Sequence, residues 1–151
     1  MFCEISGSFW DYPGQVLRTF TVAADPTPLY RDLYAAAEAA FDAIAAVLRP
    51  GTTPEQIIDV SGVIEKAGFT TNDDIVHGYG GGYFPPVLGS RSRPAGPIPD
   101  MTLEAGMTLV VQPNVITQDA RAGVQVGELV HITEHGLERL HKAPRALFRV
   151  A

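Results

Sequence analysis

The stretch opened by Thr27-Pro28 and closed by Pro50-Gly51 restricts the possible folds of this chain more than any other. Within it Leu29, Leu33, Ala36, Ala37, Ala40, Phe41, Ile44, Val47 and Leu48 recur at three- and four-residue spacing, which makes one face of a long helix apolar. Pro28 suits the first helical position, where an N–H would have no partner, and Thr27 supplies the N-cap oxygen. Such a helix must lie on another apolar surface. Thr53-Pro54-Glu55-Gln56 reads as a capping box that opens a second helix, running through Ile57, Ile58 and Ile64 to Gly68 as its C-cap.

The surface beneath the helices comes from strands. Residues 2 to 10 and 15 to 23 are rich in aromatic and β-branched types, and Asp11-Tyr12-Pro13-Gly14 between them carries turn chemistry, so the chain should open with a β-hairpin. From Asp74 onward strands and loops follow. Met107 to Thr117 and Gly123 to Thr133 flank the polar turn Gln118-Asp119-Ala120-Arg121, a Pro/Gly/Ser-rich segment runs from Gly89 to Pro99, and a short end segment covers Leu137 to Val150. The order β-β-α-α-β-β-β predicts an α+β fold, an antiparallel sheet carrying helices on one face, in one domain over residues 1–151.

Composition excludes several function classes. A net charge of −6 without a basic cluster speaks against nucleic acid and against an anionic membrane surface. The opening MFCEISGSFWDYPG lacks the basic and apolar regions of a secretion signal, and no apolar run reaches the roughly 18 residues of a membrane span, so a cytoplasmic location is expected. Cys3 is the single cysteine, which rules out an intrachain disulfide and a thiolate zinc cluster; on a strand, with no histidine near in sequence, it reads as a small buried residue.

Chemistry concentrates in VHGYGGGYFPP, Val76 to Pro86. A glycine loop can cradle phosphate on its backbone N–H groups, but Pro85-Pro86 follows where a helix would have to start, and no Lys or Ser/Thr stands at the phosphate-loop position. His131 and His135 are four apart, yet on a strand end and in a turn that spacing does not converge on a metal. Amide side chains recur in the other strands, at Gln15, Gln112, Asn114 and Gln125, while Glu4 is the one carboxylate in the strands of the first hairpin.

Taken together, a hairpin ending Arg18-Thr19-Phe20, two helices joined through Arg49-Pro50-Gly51-Thr52, the His77-Gly78-Tyr79-Gly80 loop, Leu103-Glu104-Ala105-Gly106-Met107 and a last hairpin opening Gly123-Val124 resemble the pita-bread metallopeptidases: methionine aminopeptidase, Xaa-Pro aminopeptidase and dipeptidase, and creatinase. The resemblance covers nearly the whole chain and implies the pita-bread fold, a curved antiparallel sheet covered by helices, with the N-terminal part missing. In catalytic members two aspartates, a histidine and two glutamates hold two divalent ions. By position these fall on Glu4, Gln15, His77, Gln112 and Gly127, so His77 and one carboxylate remain; Glu128, next in sequence, points to the other face of its strand. The histidine and glutamate that close the glycine loop in family enzymes become Phe84 and Pro85.

Two divalent ions bring four positive charges, and amides are weak ligands for manganese, zinc or iron. The expectation is therefore a domain without the metal pair, whose pocket of Glu4, Gln15, His77, Phe84, Gln112, Asn114 and Gln125 takes a small polar or peptide-like ligand. The alternative is a hydrolase of the Xaa-Pro peptidase or creatinase type. There His77 and Glu4 act as base and orienter, or hold a single divalent metal (Mn, Zn or Fe) with waters and Gln112. The resemblance also places the first hairpin inside a larger sheet, so a homo-oligomer or a chain supplying the missing N-terminal half is expected as partner.

Overall fold

The computed structural model describes residues 1–151. The chain opens with a hairpin of β1 (Phe2–Phe9) and β2 (Tyr12–Val22). The turn is tighter than Asp11 to Gly14: Trp10 and Asp11 form it alone, both with positive φ (52° and 63°), and Tyr12, Pro13 and Gly14 belong to the strand. Two consecutive left-handed residues give a turn whose twist matches that of the flanking strands, and this outweighs the turn preference of Pro13-Gly14.

Helix α1 (Pro28–Val47) starts where Thr27 accepts a bond from the Tyr30 N–H, and α2 (Pro54–Ser61) carries both bonds of the capping box between Thr53 and Gln56. The second helix is not continuous. It breaks at Gly62 and resumes as the single turn α3 (Val63–Lys66), the Ser61 hydroxyl bonding back to the Ile58 carbonyl beside the break.

Nine further strands follow: β3 (Thr70–Thr71), β4 (Val76–Tyr79), β5 (Tyr83–Leu88), β6 (Thr108–Val111), β7 (Asn114–Ile116), β8 (Gly123–Gln125), β9 (Gly127–Thr133), β10 (Gly136–Arg139) and β11 (Phe148–Val150). The main sheet runs β1-β2-β9-β6-β4-β5, with β10 on β9 and β11 on β2; β3-β7-β8 form a second, small sheet. All pairings are antiparallel except β11 on β2. The two long strands expected at 107–117 and 123–133 are each divided between the sheets. Pro113, which has no N–H to donate, separates β6 from β7, and Val126 separates β8 from β9.

Strand alternation gives the main sheet two unlike faces. One face presents Val76, Leu109, Val111, Val130 and Ile132 to Phe41, Ile44 and Leu48 of α1 and to Ile57 and Ile58 of α2. The N-terminal half of α1, Leu33 to Ala40, packs on Val115, Val124 and Val126 of the small sheet. The other face has only Leu17, Val110 and Leu129 as its buried apolar group, with Tyr79 against them. His77 and Gln15 lie on this uncovered face.

The joint between β2 and β9 is short, Val16 opposite Glu128 and Leu17 opposite Gly127. It is reinforced on the helix side by Glu128, 0% exposed, whose carboxylate bridges Arg18 (3.0 Å) and Arg139. Burial pushes this carboxyl up, yet the hydrogen bonds from Arg139 and Arg18 outweigh it and hold it below the usual range. Arg18 donates further to the carbonyls of Gly127, Pro144 and Ala143, tying β2, β9 and the end segment together. Glu128→Gln is expected to lower unfolding free energy by about 3 kcal/mol in urea titrations, because it leaves the Arg18 guanidinium buried without its counter-charge.

Candidate functional site

The sheet register decides which of the sequence-selected residues meet. Gln15 on β2 and Gln112, just past β6, come together, and the Gln15 Nε2 donates to the Gln112 Oε1 at 3.0 Å. Gln112 donates in turn through its Nε2 to the Asp74 Oδ1 at 3.2 Å, and the Tyr83 hydroxyl donates to the same oxygen at 2.8 Å. Because an ionised Asp74 only accepts, it fixes the Gln112 amide with Nε2 toward it, leaving Oε1 for Gln15. His77 lies under the same group, its ring stacked on Tyr83 with centroids 3.9 Å apart and edge-on to Tyr79.

Two members of this cluster, Asp74 and Tyr83, have no part in the sequence reading. Asp74 stands at the end of a polar Asn72-Asp73-Asp74 loop, where a carboxylate ordinarily faces water. Here the Ile75–Leu88 and Gln112–Ile75 backbone bonds draw the loop end under the sheet and bury it. Tyr83 follows three glycines; the hairpin of β4 and β5 turns through Gly81 at φ 76° and brings the ring back over His77. The pairing of a buried carboxylate with a tyrosine across that turn carries no sequence periodicity that would reveal it.

The electrostatics follow from burial. Asp74 is pushed up from its ordinary 3.8 to about 6, burial being the largest cause, with the Tyr83 hydroxyl bond opposing it. Burial lowers His77, against the opposing bond to the Gly78 carbonyl, so the imidazole is neutral near pH 7. The Tyr83 hydroxyl is pushed up, first by burial and then by its bond to Asp74, and stays protonated. Two buried atoms in the cluster have no protein partner, the Asp74 Oδ2 and the His77 Nε2. The result is a neutral imidazole and, linked to it through Tyr83, a carboxyl that exchanges its proton near pH 6.

The other selected residues lie elsewhere. Glu4, opposite Leu17, is on the site face but exposed, with no hydrogen bond to the cluster. Phe84 is half exposed and lines a separate recess with Gly78, Pro85 and Thr108. Asn114 and Gln125, expected in one pocket with Gln15 and His77, pair with each other across β7 and β8 of the small sheet and line a different cleft. The physical reason is the sheet switch at Pro113: Gln112 stays with the large sheet and Asn114 leaves it. Cys3 is half-buried on the edge strand rather than in the core.

Gly127 leaves no room for a side chain. A Cβ there would stand 2.6 Å from the Val111 carbonyl oxygen and 2.9 Å from the Gln112 Cα and Cβ. Nowhere in the chain do three His, Cys, Asp or Glu side chains gather in a group able to hold a metal ion.

Two measurements check this description. Asp74→Asn should gain stability relative to the native chain as pH rises from about 4 to about 7, by about 3 kcal/mol in all. The sign follows from a folded-state value above the unfolded one: the native chain is favoured while Asp74 is protonated and loses that advantage on passing pH 6. Gly127→Ala should cost about 2 kcal/mol in chemical denaturation, since β6 must shift to admit the methyl group.

Comparison with known proteins places these features. The family model described as metallopeptidase family M24 matches residues 1–134. The ectoine hydrolase of Halomonas elongata is 30% identical over 149 residues, covering 97% of this chain and 36% of that protein. Among solved structures, the dipeptidase PepE of Mycobacterium ulcerans superposes with a TM-score of 0.84 at 25% identity, over 99% of this chain and 39% of that one. The prolidase of Pyrococcus horikoshii gives a TM-score of 0.81 at 21% identity, over 97% and 41%, a likeness of fold alone. The chain thus spans under half the length of each of these relatives.

Proposed function

The chain belongs to metallopeptidase family M24, Xaa-Pro-peptidase-like with a pita-bread fold of partial extent, and from that premise we propose that it has exchanged the family's pair of divalent ions for a hydrogen-bonded network and binds a small polar or peptide-like ligand. The observation that carries this reading is the direct bond from Gln15 to Gln112. These stand at two ligand positions of the family pattern, and their polar atoms are committed to each other and to Asp74. A third position, Gly127, has neither a donor atom nor space for one. Of the five positions only His77 and the exposed Glu4 offer metal-binding groups, too little negative charge for two divalent ions.

In this reading the free His77 Nε2 and Asp74 Oδ2 are the ligand's contacts. With its Nδ1–H donating to the Gly78 carbonyl, the neutral imidazole presents a lone pair at Nε2, the Asp74 Oδ2 also accepts, and both suit an amine or amide that donates two hydrogen bonds. Tyr83, stacked over His77, has to turn aside for a ligand to reach them. Metal analysis of the purified protein, after equilibration with manganese, zinc or iron, is expected to give far less than one ion per chain; near-stoichiometric metal removed by chelator would overturn the proposal.

One observation favours a second reading, an active hydrolase. A carboxyl titrating at about 6, joined through Tyr83 to a neutral imidazole, is equipped to exchange a proton with substrate, with Asp74 rather than Glu4 as the second titrating group of the site. Xaa-Pro dipeptides and amidine substrates, assayed with and without added metal, test it: turnover that survives chelation and is lost in His77→Ala would establish the hydrolase.

A partner belongs to the same proposal. Strand β1 is the outer edge of the main sheet, hydrogen-bonded only to β2, and it exposes Phe2, Ile5 and Phe9. A free edge with apolar side chains is closed by another strand, from a second copy or from a chain that extends the sheet. Sedimentation should find the protein assembled at micromolar concentration, and a stable monomer would count against this part.

A further inference from the structure

The cleft that receives Asn114 and Gln125 has chemistry of its own. Its volume is about 410 Å³, between the β7–β8 hairpin, the start of β1 and the beginning of α1, with Phe2, Tyr30, Asn72 and Arg121 also on its walls. Asn114 is 2% exposed, and neither its Oδ1 nor its Nδ2 has a hydrogen-bond partner in the protein; the Gln125 Oε1 beside it is likewise buried and unpartnered. A carboxamide buried with both ends unsatisfied costs on the order of 2 kcal/mol or more.

The backbone around these amides is already complete. The Asn114 carbonyl accepts from the Asn72 N–H, and the Gln125 N–H and carbonyl both bond the Thr19 hydroxyl. The side chains are therefore not needed to hold the hairpin. Arg121, on the turn of the same hairpin, uses its backbone N–H on Thr117 and Asp119. Its guanidinium makes no ion pair or hydrogen bond, and the Asp119 carboxylate is engaged by the Thr117 hydroxyl.

We propose that this cleft is a second ligand site, for a small carboxylate that carries a neighbouring amide, the chemistry of an N-acyl amino acid or the C-terminal end of a short peptide. The trans amide of such a ligand has its N–H and carbonyl on opposite edges, so its N–H donates to the Asn114 Oδ1, with the Gln125 Oε1 as a further acceptor, and the Asn114 Nδ2 donates to the neighbouring carboxylate. The guanidinium of Arg121 meets the carboxylate in a planar fork. Phe2 and Tyr30 supply apolar wall for the side chain between the two polar groups. The site is independent of the His77 cluster: it shares no residue with it and has the opposite charge preference, an anion at Arg121 rather than a donor at Asp74.

N-acetyl-L-alanine is the probe, followed by the side-chain NH₂ signals of asparagine and glutamine in ¹⁵N-labelled protein. Saturable shifts of the Asn114 and Gln125 signals are expected, at least tenfold weaker affinity in Arg121→Gln, and no saturation with the methyl ester of the probe. Asn114→Leu should lose binding while melting at or above the native temperature, since it removes a buried unsatisfied amide; should that variant fail to fold, Gln125→Leu serves with the same expected loss. Absence of saturable shifts at Asn114, equal affinity of the ester, or shifts confined to Gln15 and Gln112 would overturn the proposal. The last result would leave a ligand at the His77 cluster and none in the cleft.

Discussion

Most of the structure depends on one buried carboxylate. Glu128 sits on the helix side of the sheet between Arg18 and Arg139, where β2 and β9 share only two opposed residue pairs. A joint that short has few backbone bonds to fix its register, and a slip of one residue would turn Gln15 to the opposite face. The charge-assisted bonds from Arg18 to Glu128, and to the Gly127 carbonyl, hold the register that places Gln15 against Gln112. The polar cluster on one face is thus positioned by an ion pair on the other.

On the proposed reading, the cluster is a metal-binding framework that accommodates neutral side chains. The Gln15 and Gln112 amides need no counter-charge, and one satisfies the other directly at 3.0 Å. The chain Gln15 to Gln112 to Asp74 then ends on a carboxyl whose proton affinity burial raises. At Gly127 the backbone of β6 has closed into the space a side chain would occupy. Two atoms of the cluster are left free, the Asp74 Oδ2 and the His77 Nε2, and the proposed ligand binding rests on them.

Much of the fold can be read from individual residues. Thr27-Pro28 and Thr53-Pro54-Glu55-Gln56 mark helix starts that the structure reproduces bond for bond, because capping is settled within four residues. The first turn, the break at Gly62 and the division of the long strands at Pro113 and Val126 were less legible. Each depends on which sheet or helix face the flanking residues must join, and local propensity does not contain that information. The likeness of the chain to family M24 came from motif order, His77-Gly78 through Arg18-Thr19-Phe20, and the match over residues 1–134 agrees with it.

By itself the sequence determined the α+β class, the helix on one face of a curved sheet and the family, since each is a matter of residue type and spacing along the chain. Only the tertiary structure decided that Asp74 and Tyr83 join His77, that Asn114 and Gln125 leave for another cleft, and that Glu4 stays at the surface. Those outcomes turn on strand register and on the sheet switch at Pro113, which bring residues distant along the chain into one environment and fix how deeply each is buried. Burial in turn sets the proton affinity of Asp74, a property that no residue in Asn72-Asp73-Asp74 carries alone.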